Sequence, residues 1–316
     1  MFRIASTFRD SALLCRLELP PRWVDAAALD DAMRAGGGPH GPSVYEVTIC
    51  FPHGCKVMLD AAIRLLSVAN QLDFSARRVR LEFDEGDAGT MGYLNRMGFF
   101  DHLAPGVVVA PARPAYSGAK MFRGGNSGLV EIARINKNER DKNLPTRLSD
   151  AVARACSARA DIKQLEGAAW TIFAELIDNV FSHSQTPLDG YAALQVYPRG
   201  DRLQVAVSDS GLGIMQTLRP SLATEFPALV GLSDVELIVE VFRQGLSRHG
   251  ADRGCGLRGS AAKAIKFRSD LDVRLPNSRV RLTPARGSYE PNMAYCFDRL
   301  PLIWGTHIGF TFRLAA

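Results

Sequence analysis

No stretch of the chain holds the ~18 consecutive apolar residues that crossing a bilayer requires, and no charged leader with an apolar core and cleavage site opens it. A membrane span or export is therefore not expected. The six cysteines, at 15, 50, 55, 156, 255 and 296, include no C-x-x-C pair. Cys50, His53 and Cys55 cluster, but without a second ligand pair at zinc spacing. Buried, reduced thiols in the cytoplasm are the expectation. Low-complexity tracts are missing, as are internal repeats, so nothing suggests wholesale disorder. Excess charge is also scarce: 38 Lys+Arg against 33 Asp+Glu leave +5. That is too little over this length to imply nucleic-acid binding without a clustered patch. The densest basic stretch runs from Arg243 to Arg268, and a small polyanion such as a nucleotide explains it as well as DNA does. No G-x-x-x-x-G-K-[ST] occurs, which removes a P-loop.

What is present is ordinary globular material, 47% hydrophobic and 22% charged over 316 residues, long enough for two domains. Residues 1–44 end in "RAGGGPHGPS" and read as an N-terminal segment and linker. Residues 45–140 alternate strand and helix patterns, "VYEVTICFP", "CKVMLDAAIRLLSVANQL", "RRVRLEFDE" and "MGYLNRMGFFDHL", which make a small α/β domain. The region from about 112 to 145 mixes glycine with charge and shows little periodicity, so the boundary is placed near 140. Residues 141–316 then read as helix, hairpin, long loop, helix and strands. The hairpin turns around Arg199, Gly200 and Asp201, and Ser233 with Glu236 form a capping box inside the long loop.

Three local patterns in this second half carry chemistry. The first is "ELIDNVFSHS". On a helical wheel Phe173, Leu176, Ile177, Val180 and Phe181 define a buried face, Asp178 and Ser182 point away, and Glu175, Asn179 and His183 form a flank. A solvated flank explains this helix alone as well as an active site does. The second is "VSDSGLGI", in which an apolar strand delivers Asp209 at its end and Gly211 and Gly213 follow. An Asp so placed can accept a hydrogen bond from an exocyclic amine, and the glycines let backbone approach a ligand. An Asx turn is the alternative. The third is "GCGL", Gly254 to Leu257, opening a helix whose N-terminal amides could hold phosphate. Extended to Gly259 it matches G-x-G-x-x-G, but the preceding "GLSRHGADR" is too polar to be the strand a dinucleotide fold needs.

The order E-x-x-x-N, D-x-G-x-G, a long loop into G-x-G-L, then G-T before a last apolar strand resembles the GHKL ATPases over about residues 145–316. The resemblance implies an α+β fold, a two-layer α/β sandwich of the Bergerat ATP-binding type, preceded by the smaller α/β domain. It implies ATP and Mg²⁺ as ligands, with Asn179 on the metal and Glu175 as general base. Asp209 would take the adenine amine beside Thr306, with Gly211 and Gly213 shaping that wall, and Gly254, Gly256 and Leu257 would lie in the lid over the phosphates. Among the branches, E-x-x-x-N-x-x-x-H and "FRQGLSRHGADRGCGL" are most similar to the anti-sigma-factor serine kinases. A phosphoacceptor His of the sensor-kinase kind is not found in residues 145–165. The unit before residue 140 faintly resembles a STAS domain, in which Thr90 would sit near a phosphoacceptor position. ATP hydrolysis or phosphoryl transfer to a protein Ser/Thr in regulatory signalling is the expected function. A nucleotide-gated interaction module with little or no turnover is the alternative. A regulatory protein is the expected partner or substrate, and a homodimer is an assembly left open.

Overall fold

Alternation in "LLCRLE" and "RVRLEF" makes strands with one dry face and one wet face. The computed structural model describes residues 13–136, 138–183, 185–244 and 255–315 and contains both strands. Strands β1 (Leu13–Glu18), β3 (Val44–Phe51), β5 (Arg78–Phe83) and β6 (Val108–Ala110) form an all-parallel sheet in that order. Val79, Leu81 and Phe83 are buried while Arg78 and Arg80 stay exposed. Parallel neighbours need crossovers. These come from α1 (Ala26–Ala35), α2 (Leu59–Phe74), α3 (Gly89–Met97) and α4 (Phe99–His102), with β2 (Trp23–Val24) and β4 (Lys56–Val57) pairing as a short ribbon. Gly98, at φ 83°, divides α3 from α4 where the sequence pattern reads as one helix. Residues before 44, expected to lie outside this unit, carry β1 and α1; β1 is bonded to β3 along its length, because Cys15, Leu17 and Leu19 alternate into the core.

A second, wholly antiparallel sheet of seven strands follows the order β12-β11-β10-β13-β9-β8-β7. Its members are β7 (Leu129–Ile135), β8 (Gly190–Tyr197), β9 (Arg202–Ser208), β10 (Asp270–Arg274), β11 (Arg279–Ala285), β12 (Ser288–Pro291) and β13 (His307–Arg313). β7 precedes the boundary expected near 140, after the short α5 (Gly118–Met121), yet pairs with β8 and belongs to this sheet. The described residues thus make a mixed α/β fold with a four-stranded parallel sheet, a seven-stranded antiparallel sheet and the two-stranded β2–β4 ribbon.

One face of the second sheet is covered by α6 (Leu144–Ala155), α7 (Ile162–His183), α9 (Asp234–Gln244) and α10 (Cys255–Lys266). Leu194, Val205, Val207, Leu271 and Phe310 meet these helices in one apolar core. The capping box opens α9 as expected: Ser233 N donates to Glu236 Oε2 at 2.8 Å, and Glu236 N donates to Ser233 Oγ at 3.2 Å. The long loop expected between β9 and α10 thus holds α9, and it also contains α8 (Ile214–Glu225), with Pro220 inside it.

The other face of the sheet is covered by α2. Its residues other than Asp60, Asp73 and Phe74 are all buried, Arg64, Ser67, Asn70 and Gln71 among them. The apolar side of α2 packs into the core that holds Leu17, Ile49 and Leu81. Its polar side faces Tyr191, Ser208 and Asp272 of the second sheet. There a set of charges joins the two units. Asp30 on α1 accepts from Arg274 Nε at 2.9 Å and lies 3.6 Å from Arg64. Asp272 takes Arg64 at 2.5 Å and Arg279 at 2.6 Å. Burial alone would raise the Asp272 carboxyl, but Arg279 and Arg64 hold it below the ordinary carboxylate range. Asp30→Ala leaves the guanidinium groups of Arg274, Arg64 and, at 4.0 Å, Arg279 around a lost carboxylate, and a stability loss of about 3–5 kcal/mol is expected. Urea unfolding checks this as a lowered midpoint at unchanged m-value.

Candidate functional site

The apolar face of α7, with Phe173, Leu176, Ile177 and Val180 buried, fixes the helix on the sheet and turns Glu175 and Asn179 to its flank. One turn apart, they touch: Asn179 Nδ2 donates to Glu175 Oε1 at 3.2 Å. Burial pushes the Glu175 carboxyl up, partly offset by the Asn179 hydrogen bond. His183 closes α7, and its side chain lies outside the described residues, as does Ser184.

Asp209 follows the last residue of β9 and is buried. Both carboxylate oxygens are held by backbone: Oδ1 accepts from Gly211 N at 2.7 Å and Oδ2 from Thr306 N at 3.0 Å. Asp209 N in turn donates to the Thr306 carbonyl at 3.1 Å. The Thr306 hydroxyl accepts from Ile214 N at 2.9 Å, which stitches the start of α8 to the start of β13. Two glycines make this approach feasible. Gly213 sits at φ 80°, and Gly305 at φ 87°, where a Cβ would fall 2.1 Å from the Asp209 carbonyl oxygen. Burial raises the Asp209 carboxyl from its ordinary 3.8 to about 6, against the two backbone donors that lower it.

A cleft with about 550 Å³ of free space, counted together with the solvent at its mouth, opens between α7, β9, α8 and β13. Leu176, Val180, Val207, Ile214 and Ile308 make its apolar walls. Asn179, Asp209, Thr217 and Thr306 supply its polar groups, and Gly213 completes it. Four of the residues singled out from sequence, Asn179, Asp209, Gly213 and Thr306, therefore meet in one place. Glu175 does not line this cleft; it stands one turn back along α7, against Asn179. Gly211 lines a neighbouring cleft of about 1150 Å³ with Ser210, Leu212 and Trp304, and contributes its N–H to Asp209. Gly256 and Leu257 fall in the first turn of α10, which packs along α7, and the Leu257 side chain is outside the described residues. Gly254, Arg248 and Arg253 are outside them too.

Thr90 has no phosphoacceptor geometry. It is buried at the start of α3, and its hydroxyl donates to the Cys55 carbonyl. Sequence reasoning passed over Gly305 as a site residue, although Gly-Thr directly before an apolar strand was its signal. It also passed over Thr217 and Ile214, because α8 itself was not read.

No protein-family model matches the chain, and no curated protein matches its sequence.

Two measurements probe the built geometry. Folded Asp209 holds its proton to about pH 6 and unfolded Asp209 only to about 3.8, so its contribution is complete below the lower value and is lost as pH rises through the upper one. Thermal melts between pH 4 and 7 are expected to show this fall in the wild type, by roughly 2–3 kcal/mol, and a flatter profile in Asp209→Asn. Gly305→Ala is expected to destabilise by about 3 kcal/mol or more, from the left-handed backbone and the clash with Asp209 together, as read by urea unfolding.

Proposed function

We propose that this chain binds ATP with Mg²⁺ in the 550 Å³ cleft, as a GHKL-type protein of the Bergerat two-layer α/β sandwich kind. The observation that carries the reading is the held Asp209 carboxylate on the wall of a mainly apolar cleft. A carboxylate has about four acceptor sites, and two backbone donors leave two. An adenine exocyclic amine is the donor that such an oxygen selects, while Val207, Ile214 and Ile308 offer a planar base the apolar contact it needs. Guanine and inosine present a carbonyl at that position and would set two acceptors against each other.

Asn179 stands on the same cleft with its Nδ2 engaged by Glu175, which leaves Oδ1 as a hard oxygen donor of the kind Mg²⁺ takes. Among the described residues no three His, Cys, Asp or Glu side chains gather as a metal cage. An ion there would take one amide oxygen from the protein, with substrate phosphates and water as its other ligands. Bound Mg²⁺ would neutralise charge on the phosphates. Glu175, placed beside Asn179 and half-buried, is the candidate general base toward water or toward a Ser/Thr hydroxyl of a regulatory protein. Its raised pKa suits a group that must take up a proton near neutral pH. The cytoplasm, a protein partner and a signalling role are parts of this proposal.

A second reading, a nucleotide-gated interaction module with little turnover, is favoured by one observation: Glu175 is off the cleft lining. Incubation with γ-labelled ATP, alone and with cell lysate, separates the two. Free phosphate or labelled protein supports the enzyme, and neither product supports the module.

Asp209→Asn is expected to abolish ATP·Mg²⁺ binding in calorimetry, whereas Glu175→Ala keeps binding and loses turnover by ~10²-fold or more. Unchanged ATP affinity in Asp209→Asn would remove the site assignment. Equal, nonzero phosphate release by the wild type and Glu175→Ala would remove the general base.

A further inference from the structure

Along the end of β9 the side chains alternate across the sheet: Asp209 faces the cleft, while Ser208 and Ser210, on either side of it, point the other way and meet α2. Ser67 and Gln71, four residues apart on α2, receive them. Ser67 Oγ lies 2.7 Å from Ser208 Oγ, and Gln71 Nε2 donates to Ser210 Oγ at 3.0 Å. The contacts continue to the segment around Thr306, Gln71 directly and Ser67 through Ser208. Gln71 Nε2 donates to the Trp304 carbonyl at 3.1 Å and Gln71 Oε1 accepts from Trp304 N at 3.0 Å. Ser208 Oγ lies 2.7 Å from His307 Nδ1, and His307 Nε2 lies 3.1 Å from the Trp304 carbonyl.

The chemistry fixes the direction of this chain. His307 is fully buried and held neutral, so the one ring proton goes to Nε2, where only a carbonyl can receive it. Nδ1 must then accept from Ser208, and Ser208 must accept from Ser67. His40 fills the last site on Gln71, donating Nε2–H to Oε1 at 3.2 Å, and stacks on Trp304 at 5.2 Å. Phe74 meets the Trp304 ring edge-on at 6.4 Å. Both chain neighbours of Asp209, and Trp304 just before the Gly305–Thr306 pair, are therefore gripped by the N-terminal unit from behind the sheet, and His307 just after that pair is held at one remove, through Ser208.

We infer that α2 is the element through which the N-terminal unit sets the base-binding half of the cleft, with Gln71 and Ser67 as positioning residues for Asp209 and Thr306. This rests on the nucleotide reading above only for what the cleft binds. Displacing α2, by a partner on the N-terminal unit, would move the Asp209 carboxylate relative to the Thr306 amide without touching the cleft itself. The effect would fall on base recognition first.

The test uses the full chain with Gln71→Met, which keeps length and bulk but removes all four hydrogen bonds, and Ser67→Ala, a gentler change that folds even if Gln71→Met does not. Leu65→Ala, on the opposite side of α2, controls for loss of stability. The first readout needs no ligand: exchange of the Thr306 and Gly211 amides, both donors to Asp209, measured by NMR relative to amides of β10 and β11. About tenfold faster relative exchange is expected in Gln71→Met, with a smaller rise in Ser67→Ala and none in Leu65→Ala. The second is the ratio of affinities for ATP and inosine triphosphate, which lacks the amine. In Gln71→Met the ATP preference is expected to collapse by about tenfold, while Leu65→Ala leaves the ratio intact. Faster amide exchange in a protein that binds neither nucleotide would support the positioning role and overturn the ATP reading. Relative exchange unchanged in both α2 variants, or raised equally in Leu65→Ala, would overturn the positioning role.

Discussion

Five charges at the seam between α2 and the second sheet fix where everything else lies. Asp30, Arg64, Asp272, Arg274 and Arg279 are drawn from four elements, α1, α2, β10 and β11, and Arg64 meets Asp272 across 208 residues. Taking ions out of water costs several kcal/mol each, which pairing recovers only in good geometry. Such a seam is a weak source of stability and a strict one of register. Sliding α2 by one turn would part Arg64 from both carboxylates and leave charges buried alone. Arg274 ties the seam onward, because its guanidinium also donates to the carbonyls of Leu275, Pro276 and Pro301 and so anchors the loops that lead toward Trp304.

The candidate site was legible where its parts are local. Glu175 and Asn179 are four residues apart on a helix, Asp209 ends an apolar strand, and Ser233 with Glu236 cap a helix; each is set by near neighbours in the chain. The parts that depend on distant pairing were not legible. β7 has the alternation of a strand in "LVEIARI", but lies in a stretch rich in glycine and charge and gains its partner only from β8, some sixty residues on. α8 carries Pro220, which hides a helix from any periodic reading. That the polar residues of α2 are buried is not legible locally, because Ser208, Ser210 and Asp272, which they meet, lie more than 130 residues away.

The two halves of the cleft differ in how they are built. The Asp209 half is one side chain clamped by backbone: carboxylate oxygens on amides, carbonyl on amide, and glycines where a further side chain would collide. The Asn179 half is side chain on helix, one amide leaning on one carboxylate. Rigid peptide groups suit recognition of a flat, rigid ligand, since little must be ordered on binding. A side-chain pair that shares a hydrogen bond suits a task in which one partner changes its protonation.

The polar stripe of α2 has a consequence for how the chain is made. Synthesis runs from the N-terminus, so α2 and the parallel sheet exist well before residues 190–313 that will cover the helix. An apolar stripe would leave that unit with an adhesive flank while it waits. Arg64, Ser67, Asn70 and Gln71 give it instead a face that water satisfies first and the second sheet satisfies later. In the nascent protein α2 is thus an amphipathic helix with one face in water, and it becomes a fully enclosed one only when the second sheet arrives.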